Sequence, residues 1–330
     1  MSKKPGVFWG IALALCMVST ILSLCLGAAN LSLAELIGAI LSGPEGKAGY
    51  IFWYFRLPRT GACLLAGAAL SCSGCILQSV LGNKLASPGI IGVNAGAGLA
   101  VTICCAFSAL SGWIISISAF AGAMIAVLTV VLLAKKTGAS RTTVILAGVA
   151  MNSILGALRD AVTVLVPETA MLSNEFRVGS FSSVVTARLI PAGILIAASL
   201  AVILTLCNEL DVMALGEDTA KSLGLPVKHL RVLFLLLAAV LAGATVSFAG
   251  LLGFVGLLVP HMVRRFAGSE SRKLLPLSIL FGAGFVTLCD LISRMLFIPY
   301  ELPVGILMSV IGGPFFLVLL LKKKGGHRHA

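Results

Sequence analysis

The sequence has few charged residues. Of its 330 residues, 11% are Asp, Glu, Lys or Arg, whereas an ordinary soluble domain carries about 25%. Hydrophobic residues make up 59% of the chain, so water is the wrong solvent for most of it. A membrane-spanning helix needs about 20 apolar residues, so about ten such helices would use about 200 residues. We therefore predict an all-α integral membrane protein in which residues 1–330 form a single transmembrane domain.

Acidic residues are also scarce. The chain has 12 acidic and 24 basic residues, and its formal net charge is +12. On a soluble protein such an excess would indicate nucleic-acid binding. Here the basic residues lie between long apolar runs and have no interleaved aromatic residues, which argues against a nucleic-acid surface. The tendency of Lys and Arg to remain on the cytoplasmic side of a membrane accounts for them better.

Signatures of catalysis or metal binding are missing as well. The nine cysteines lie mostly in apolar runs, and Cys72 and Cys75 have no second pair with which to form a zinc site. The segment GPEGKAG at 43–49 lacks the spacing of a phosphate-binding loop. We find no H-E-x-x-H motif, paired carboxylates or Ser/His/Asp set for a membrane-embedded enzyme. We therefore predict no disulfide framework, no metal site, no cofactor and no ATPase site in this chain.

Charges, prolines and glycine clusters divide the chain into ten apolar runs. Basic clusters at both ends, Lys3 with Lys4 and Lys322 with Lys324, predict that both termini are cytoplasmic, which requires an even number of spans. The first run could instead be a cleavable signal peptide, but it has no clear A-x-A site and is long enough to span. The predicted spans are 7–27, 58–81, 90–109, 113–134, 142–165, 188–207, 232–248, 254–267, 274–297 and 304–321.

The positions of the basic residues support this topology. Alternating sides from a cytoplasmic start places most of them inside, as the positive-inside rule requires, and removing one span would destroy the pattern. The residues placed inside are Lys84, Lys135, Lys136, Arg141, Lys221, Lys228, Arg231, Arg264, Arg265, Arg272 and Lys273. Those placed outside are Lys47, Arg56, Arg59, Arg177 and Arg188.

Two polar segments interrupt the apolar pattern. The cytoplasmic segment 208–231 predicts two short helices: Asp211 would cap the first, and the second would run from Glu217 to Leu223 and end at Gly224. Such a structured loop indicates a docking surface, although a simple solvated connector is the alternative. The external segment 166–188 predicts a short helix and a turn, which fits a lid, a docking site or an ordinary loop.

Three segments together resemble a known family. They are RLPRTGACLLAGAALSCSGCILQSVLGNKLASPGIIGVNAGAGLA, GEDTAKSLGL, and GLLGFVGLLVPHMVRRFAGSESRKLLP with the later ELPVGILMSVIGGPFF. In order and spacing, from Arg56 to Leu321, the chain resembles the iron-siderophore, haem and cobalamin permeases of binding-protein-dependent ABC importers. The resemblance implies a ten-span permease subunit in the cell membrane that imports a metal chelate. Ferric siderophore is the first expectation for the cargo, with haem or cobalamin as alternatives.

The resemblance also implies partners and functional residues. The partners are a second permease subunit, identical or closely related, two cytoplasmic ATPase subunits and an external solute-binding protein. The expected cytoplasmic gate residues are Asn83, Leu85, Arg141 and Thr142. The expected ATPase-coupling residues are Gly216, Glu217, Ala220, Leu223 and Gly224. The expected docking residues for the binding protein are Arg56, Arg59 and Arg294.

The docking arginines also have a simpler interpretation. Arginines at span ends commonly extend their charged groups to the membrane surface, and Arg294 could pair with Asp290 one helical turn away. An ion-gradient-driven secondary transporter remains the alternative function. It would place ionisable residues at mid-membrane, but the candidates, Arg159 with Asp160 and Asp290 with Arg294, look paired and close to the outer ends of their spans.

Overall fold

A computed structural model describes residues 5–27, 32–108, 111–136 and 141–324. Within these ranges the chain is helical, with no β-strand. The first eight helices are α1 (Pro5–Cys25), α2 (Leu33–Ser42), α3 (Gly46–Ile51), α4 (Leu57–Val80), α5 (Val93–Ala106), α6 (Gly112–Lys136), α7 (Arg141–Leu165) and α8 (Glu168–Leu172). The next eight are α9 (Asn174–Val178), α10 (Thr186–Thr205), α11 (Cys207–Leu215), α12 (Glu217–Ser222), α13 (Val227–Ala249), α14 (Val255–Ala267), α15 (Ser271–Met295) and α16 (Val304–Lys324).

Each predicted span contains a helix. Seven helical stretches in the described ranges are long and apolar enough to cross a membrane, and α5 and α16 supply shorter apolar helices. With 13 residues, α14 is also short for a span. The count of ten spans and the cytoplasmic termini therefore stay predictions, and Lys3 and Lys4 lie outside the described residues.

The sequence interpretation assigned no helix between the first two spans, whereas the structure has two there. Ser32 begins α2 through a capping box in which its hydroxyl accepts from the Glu35 amide while the Glu35 carboxylate accepts from the Ser32 amide. After α3, a π-helical turn at Phe52–Arg56 leads into α4 without a break. The second span therefore continues a longer helical stretch, Gly46–Val80.

Helix α4 lies at the centre of the bundle, where α13, α14 and α15 surround it. Glycines allow this approach: a Cβ atom on Gly67 would overlap the carbonyl oxygen of Gly282 in α15, and one on Gly74 would overlap that of Gly256 in α14. In a membrane, such close contacts supply the packing energy that the hydrophobic effect supplies in water. The run of small residues in the second span therefore serves helix packing.

A second packed group contains α5, α6 and α7. Gly92 precedes α5 with a positive φ of 94°, which a side chain rarely tolerates. One turn later Gly96 lies against Gly122 of α6, where neither residue has space for a Cβ atom. Gly92 and Gly96, which are four residues apart, thus serve backbone geometry and close helix packing, as a small-xxx-small spacing predicts.

Candidate functional site

The three arginines predicted for docking line one cavity at the outer end of the bundle, the end that the charge pattern predicts to be external. The cavity has a volume of about 310 Å³. Glu301 also lines it, and the buried Asp290 lies directly beside it. We call Arg56, Arg59, Arg294, Asp290 and Glu301 the outer arginine cluster. Its five residues come from the π-helical turn before α4, from the start of α4, and from the end and downstream loop of α15.

Arg59 is the centre of this cluster. Its Nε and Nη2 atoms donate to Asp290 at 3.0 Å each, and its Nη1 atom donates to Glu301 at 2.7 Å. The side chain of Asp290 is 1% exposed and that of Glu301 is 35% exposed. A planar guanidinium suits such two-pronged binding of carboxylates. Arg59 therefore ties α4 to α15 through a buried acid and holds a second, accessible acid at the cavity.

Arg56 and Arg294 bind the end of α1. The Nη1 atom of Arg56 donates to the carbonyls of Leu24 and Cys25 at 2.8 and 2.6 Å. The Nη2 atom of Arg294 donates to the carbonyl and the hydroxyl of Ser23, both at 2.8 Å. The last carbonyls of a helix lack partners within it, so both arginines complete the C-terminus of α1.

The alternative interpretation of Arg294 is also visible, since its Nε atom lies 3.9 Å from Asp290. Both Arg56 and Arg294 are almost fully buried. Their structural role is therefore clear from their contacts, while a docking role stays a prediction for the cluster. The sequence interpretation did not single out Glu301, although an acid just before the last apolar run was a visible signal.

At the inner end, the turn between α4 and α5 holds two of the predicted gate residues. The Asn83 side chain accepts a hydrogen bond from the Leu85 amide at 2.9 Å, a local bond that fixes the turn. Leu85 lines a small cavity with His261 of α14 and Phe315 of α16. This leucine therefore lies between the α4–α5 turn and the middle parts of α14 and α16.

The other two gate residues begin α7. The Nη2 atom of Arg141 donates to the Met213 carbonyl of α11 at 2.5 Å. The guanidinium also packs against Gly82, whose positive φ of 59° starts the turn. Thr142 is exposed. Arg141 thus joins the gate turn to the segment predicted to meet the ATPase.

The segment 208–231, which we call the coupling segment, forms the two predicted short helices α11 and α12. The second ends as expected, because Leu223 terminates α12 and Gly224 follows with a φ of 80°. The predicted role of Asp211 is wrong: α11 begins four residues earlier, after Leu206. The Asp211 carboxylate instead accepts a hydrogen bond from the Ser271 amide at the start of α15.

An ion pair fastens α12 to the bundle. The Glu217 carboxylate accepts from Arg231 of α13 at 2.8 Å and lies 3.1 Å from Lys221. The hydrogen bond from Arg231, more than the other contacts, lowers the pKa of Glu217 below its usual range. Ala220 is buried, whereas Leu223 is 62% exposed. Glu217 and Ala220 therefore attach the helix, and Leu223 is left available at the surface.

Helix α7 differs from the other long helices. Its most apolar stretch has a mean hydropathy of 1.4 and only 11% of it is buried, whereas the other poorly buried helices α1, α6 and α10 have values of 2.2 to 2.5. Ser153 and Asp160 are exposed on it. Among the seven long apolar helices of the described ranges, the least buried one is thus also the least apolar.

Comparison with known proteins identifies the family to which this architecture belongs. The model of the FecCD transport family matches residues 15–322. The chain belongs to the FecCD transport family. The Fe(3+)-citrate import system permease protein YfmE of Bacillus subtilis is 33% identical to this FecCD member, over 96% of each chain. The vitamin B12 import system permease protein BtuC of Salmonella paratyphi A is 34% identical, over 97% of each chain.

A solved structure has the same fold. It is that of a transporter assigned to the metal-chelate type of ABC transporters, in an inward-facing conformation. The match has a TM-score of 0.84 and 28% identity, and it covers 96% of this chain and 99% of the other. This FecCD member is therefore a membrane permease subunit of a binding-protein-dependent importer, as its motifs predicted.

Proposed function

We propose that this permease carries a metal chelate across the cell membrane, with a ferric siderophore as the first candidate. Its relatives are named for Fe(3+)-citrate and for vitamin B12, both of which are metal chelates. Haem and cobalamin are the other cargo classes to test. All three are bulky molecules with apolar and polar parts, so a wide and weakly polar path would suit each of them.

The observation that supports a transport path is the free face of α7. The other poorly buried long helices of the described ranges have mean hydropathies of 2.2 to 2.5, whereas α7 combines the lowest mean hydropathy with the lowest buried fraction. A second permease subunit placed against this face would cover it and leave a path between the two copies. Oligomers of this kind are usually two-fold symmetric, so each gate residue would contribute twice.

The site residues receive their roles from this arrangement. Asn83, Leu85, Arg141 and Thr142 would form the cytoplasmic gate, because the first three surround the turn between α4 and α5. Two cytoplasmic ATPase subunits would contact Leu223 with the flanking Gly216 and Gly224 and would supply the energy, while Glu217 and Ala220 would hold the coupling helix in place. The binding protein would dock over Arg56, Arg59 and Arg294, where Glu301 and Arg59 are the most exposed members of the cluster.

The contacts give the secondary-transporter alternative little support. A coupling ion needs an accessible acid inside the membrane. Asp290 is the buried acid of a predicted span, but it is held by Arg59 and lies near Arg294 at the outer end of α15. Asp160 is near the outer end of α7 and is paired with Arg159 at 2.8 Å.

Transport in vesicles tests the function. The permease would be reconstituted with its ATPase and binding protein, and uptake of a ferric siderophore, haem and cobalamin would be compared. We expect uptake of one cargo class that requires ATP hydrolysis and survives an ionophore. Uptake that continues with an inactive ATPase and stops when the ion gradient collapses would contradict the proposal. Titration of the binding protein with the three ligands would identify the cargo independently.

A further inference from the structure

Helix α15 reaches from one candidate site to the other. It has 25 residues, and at a rise of 1.5 Å per residue it is about 37 Å long, enough to cross the apolar layer of a membrane. Its first residue, Ser271, contacts the coupling segment. Asp290 and Arg294, near its last residue, belong to the outer arginine cluster.

The contact at the inner end is made by the backbone of α15. The Ser271 amide donates to both carboxylate oxygens of Asp211, at 2.9 and 3.1 Å. Ser271 is 1% exposed, and the amides at a helix start have no partner within the helix and carry partial positive charge. The Asp211 carboxylate therefore caps α15 from α11, which precedes α12 by a single residue.

The contacts along α15 leave little freedom for it to move alone. A Cβ atom on Gly282 would overlap Ser71 of α4, and one on Gly284 would lie 2.8 Å from the backbone of Cys16 in α1. At the outer end, Asp290 binds Arg59 of α4 and Arg294 binds Ser23 of α1. Beyond Pro276 in its second turn, α15 thus forms one closely packed unit with α1 and α4, and Ser271 is joined to this unit through the first turns of the helix.

We propose that Asp211 is a positioning residue that makes α15 the mechanical connection between the coupling segment and the outer arginine cluster. Binding-protein docking outside and ATPase movement inside then act on the same rigid unit, and the bond from Ser271 to Asp211 joins that unit to the segment beside the ATPase. This inference rests on the proposed function, because it assigns the coupling route within an ATP-driven importer.

The backbone donor allows a precise test. Ser271→Pro removes the donated N–H, while proline is well tolerated at the first position of a helix. The preceding Glu270 has a ψ of 120°, which suits a residue before proline. Ser271→Ala keeps the N–H and is the matched control. On the acceptor side, Asp211→Ala removes both oxygens. Asp211→Asn keeps one acceptor oxygen and should therefore retain part of the stimulation that Asp211→Ala loses.

The measurement is the ratio of ATPase activity with and without the loaded binding protein, in the assembled complex. We expect Ser271→Pro and Asp211→Ala each to lower this ratio at least about fivefold, the lower end of typical coupling between two sites. The double variant should lose no more than either single variant. Glu270→Ala is a second control, because Glu270 lies at the same helix start, and within the described residues its carboxylate pairs with Lys273 on α15 itself.

Two outcomes would overturn the proposal. One is a normal ratio in both Ser271→Pro and Asp211→Ala. The other is complete loss of the bound ATPase in these two variants, which would mean that the bond builds the docking surface and does not transmit movement. Failure of the proposed function would look different, since the unaltered protein would then show no stimulation by any loaded binding protein.

Discussion

Helices α4 and α7 have nearly the same length and comparable apolar content, yet they have opposite places in the fold. The most apolar part of the stretch that contains α4 has a mean hydropathy of 1.7 and is 83% buried, whereas that of α7 has a value of 1.4 and is 11% buried. Apolar content therefore does not decide which helix lies in the centre of a membrane bundle. The difference lies in the small residues, because α4 presents Gly67 and Gly74 to the backbones of two other helices, whereas α7 has one such contact, between Gly148 and Ile90.

The largest expected effect compares the ion pairs on the two helices. Asp290→Asn would leave Arg59 and Arg294 without their buried counter-charge, and breaking a buried pair typically costs about 3 to 5 kcal/mol. Asp160→Asn is the matched control on α7, because Asp160 is 68% exposed and such pairs contribute at most about 1 kcal/mol. Thermal unfolding in detergent would measure both. Equal stability of the two variants would contradict the central position of α4.

The next effect compares glycines. Gly74→Ala puts a methyl group against the Gly256 carbonyl, and overpacking of this kind costs about 1 to 3 kcal/mol or more. Gly156→Ala in α7 meets no atom within 4 Å and should be neutral or stabilising by up to about 1 kcal/mol, since alanine favours the helix. The unfolding midpoint should therefore fall for Gly74→Ala and stay unchanged or rise for Gly156→Ala. A Gly74→Ala variant as stable as Gly156→Ala would show that α4 and α14 have room to separate.

The smallest expected change in stability concerns surfaces that face different solvents. Ser153→Cys on α7 and Ile117→Cys on α6 both replace exposed residues and should each change stability by less than about 0.5 kcal/mol. A charged thiol reagent should nevertheless react on the order of ten times faster at position 153, because the thiolate forms only where water reaches it. The nine native cysteines, none of them exposed, provide the background rate. Equal rates at 117 and 153 would place α7 against lipid.

The sequence allowed the position of each spanning helix to be predicted, because apolar runs between charges depend only on local composition. The end of the helix at Gly224 was predictable as well, because the preference of glycine for a helix end is also local. The sequence did not reveal that Asp211 caps α15 or that Arg294 binds Ser23, since these contacts join residues 60 and 271 positions apart. The three docking arginines were predicted from the family resemblance, whereas the structure adds that two of them are also needed to complete α1.

The completion of α1 has a consequence for biosynthesis. Arg56 binds Leu24 and Cys25 from a nearby part of the chain, whereas Arg294 reaches Ser23 from a position 271 residues later. At about 5 to 20 residues per second, the ribosome needs roughly 14 to 54 seconds to supply that second arginine. During this interval α1 is inserted but not yet fixed to α15. The first helix to enter the membrane is therefore among the last to be locked in place.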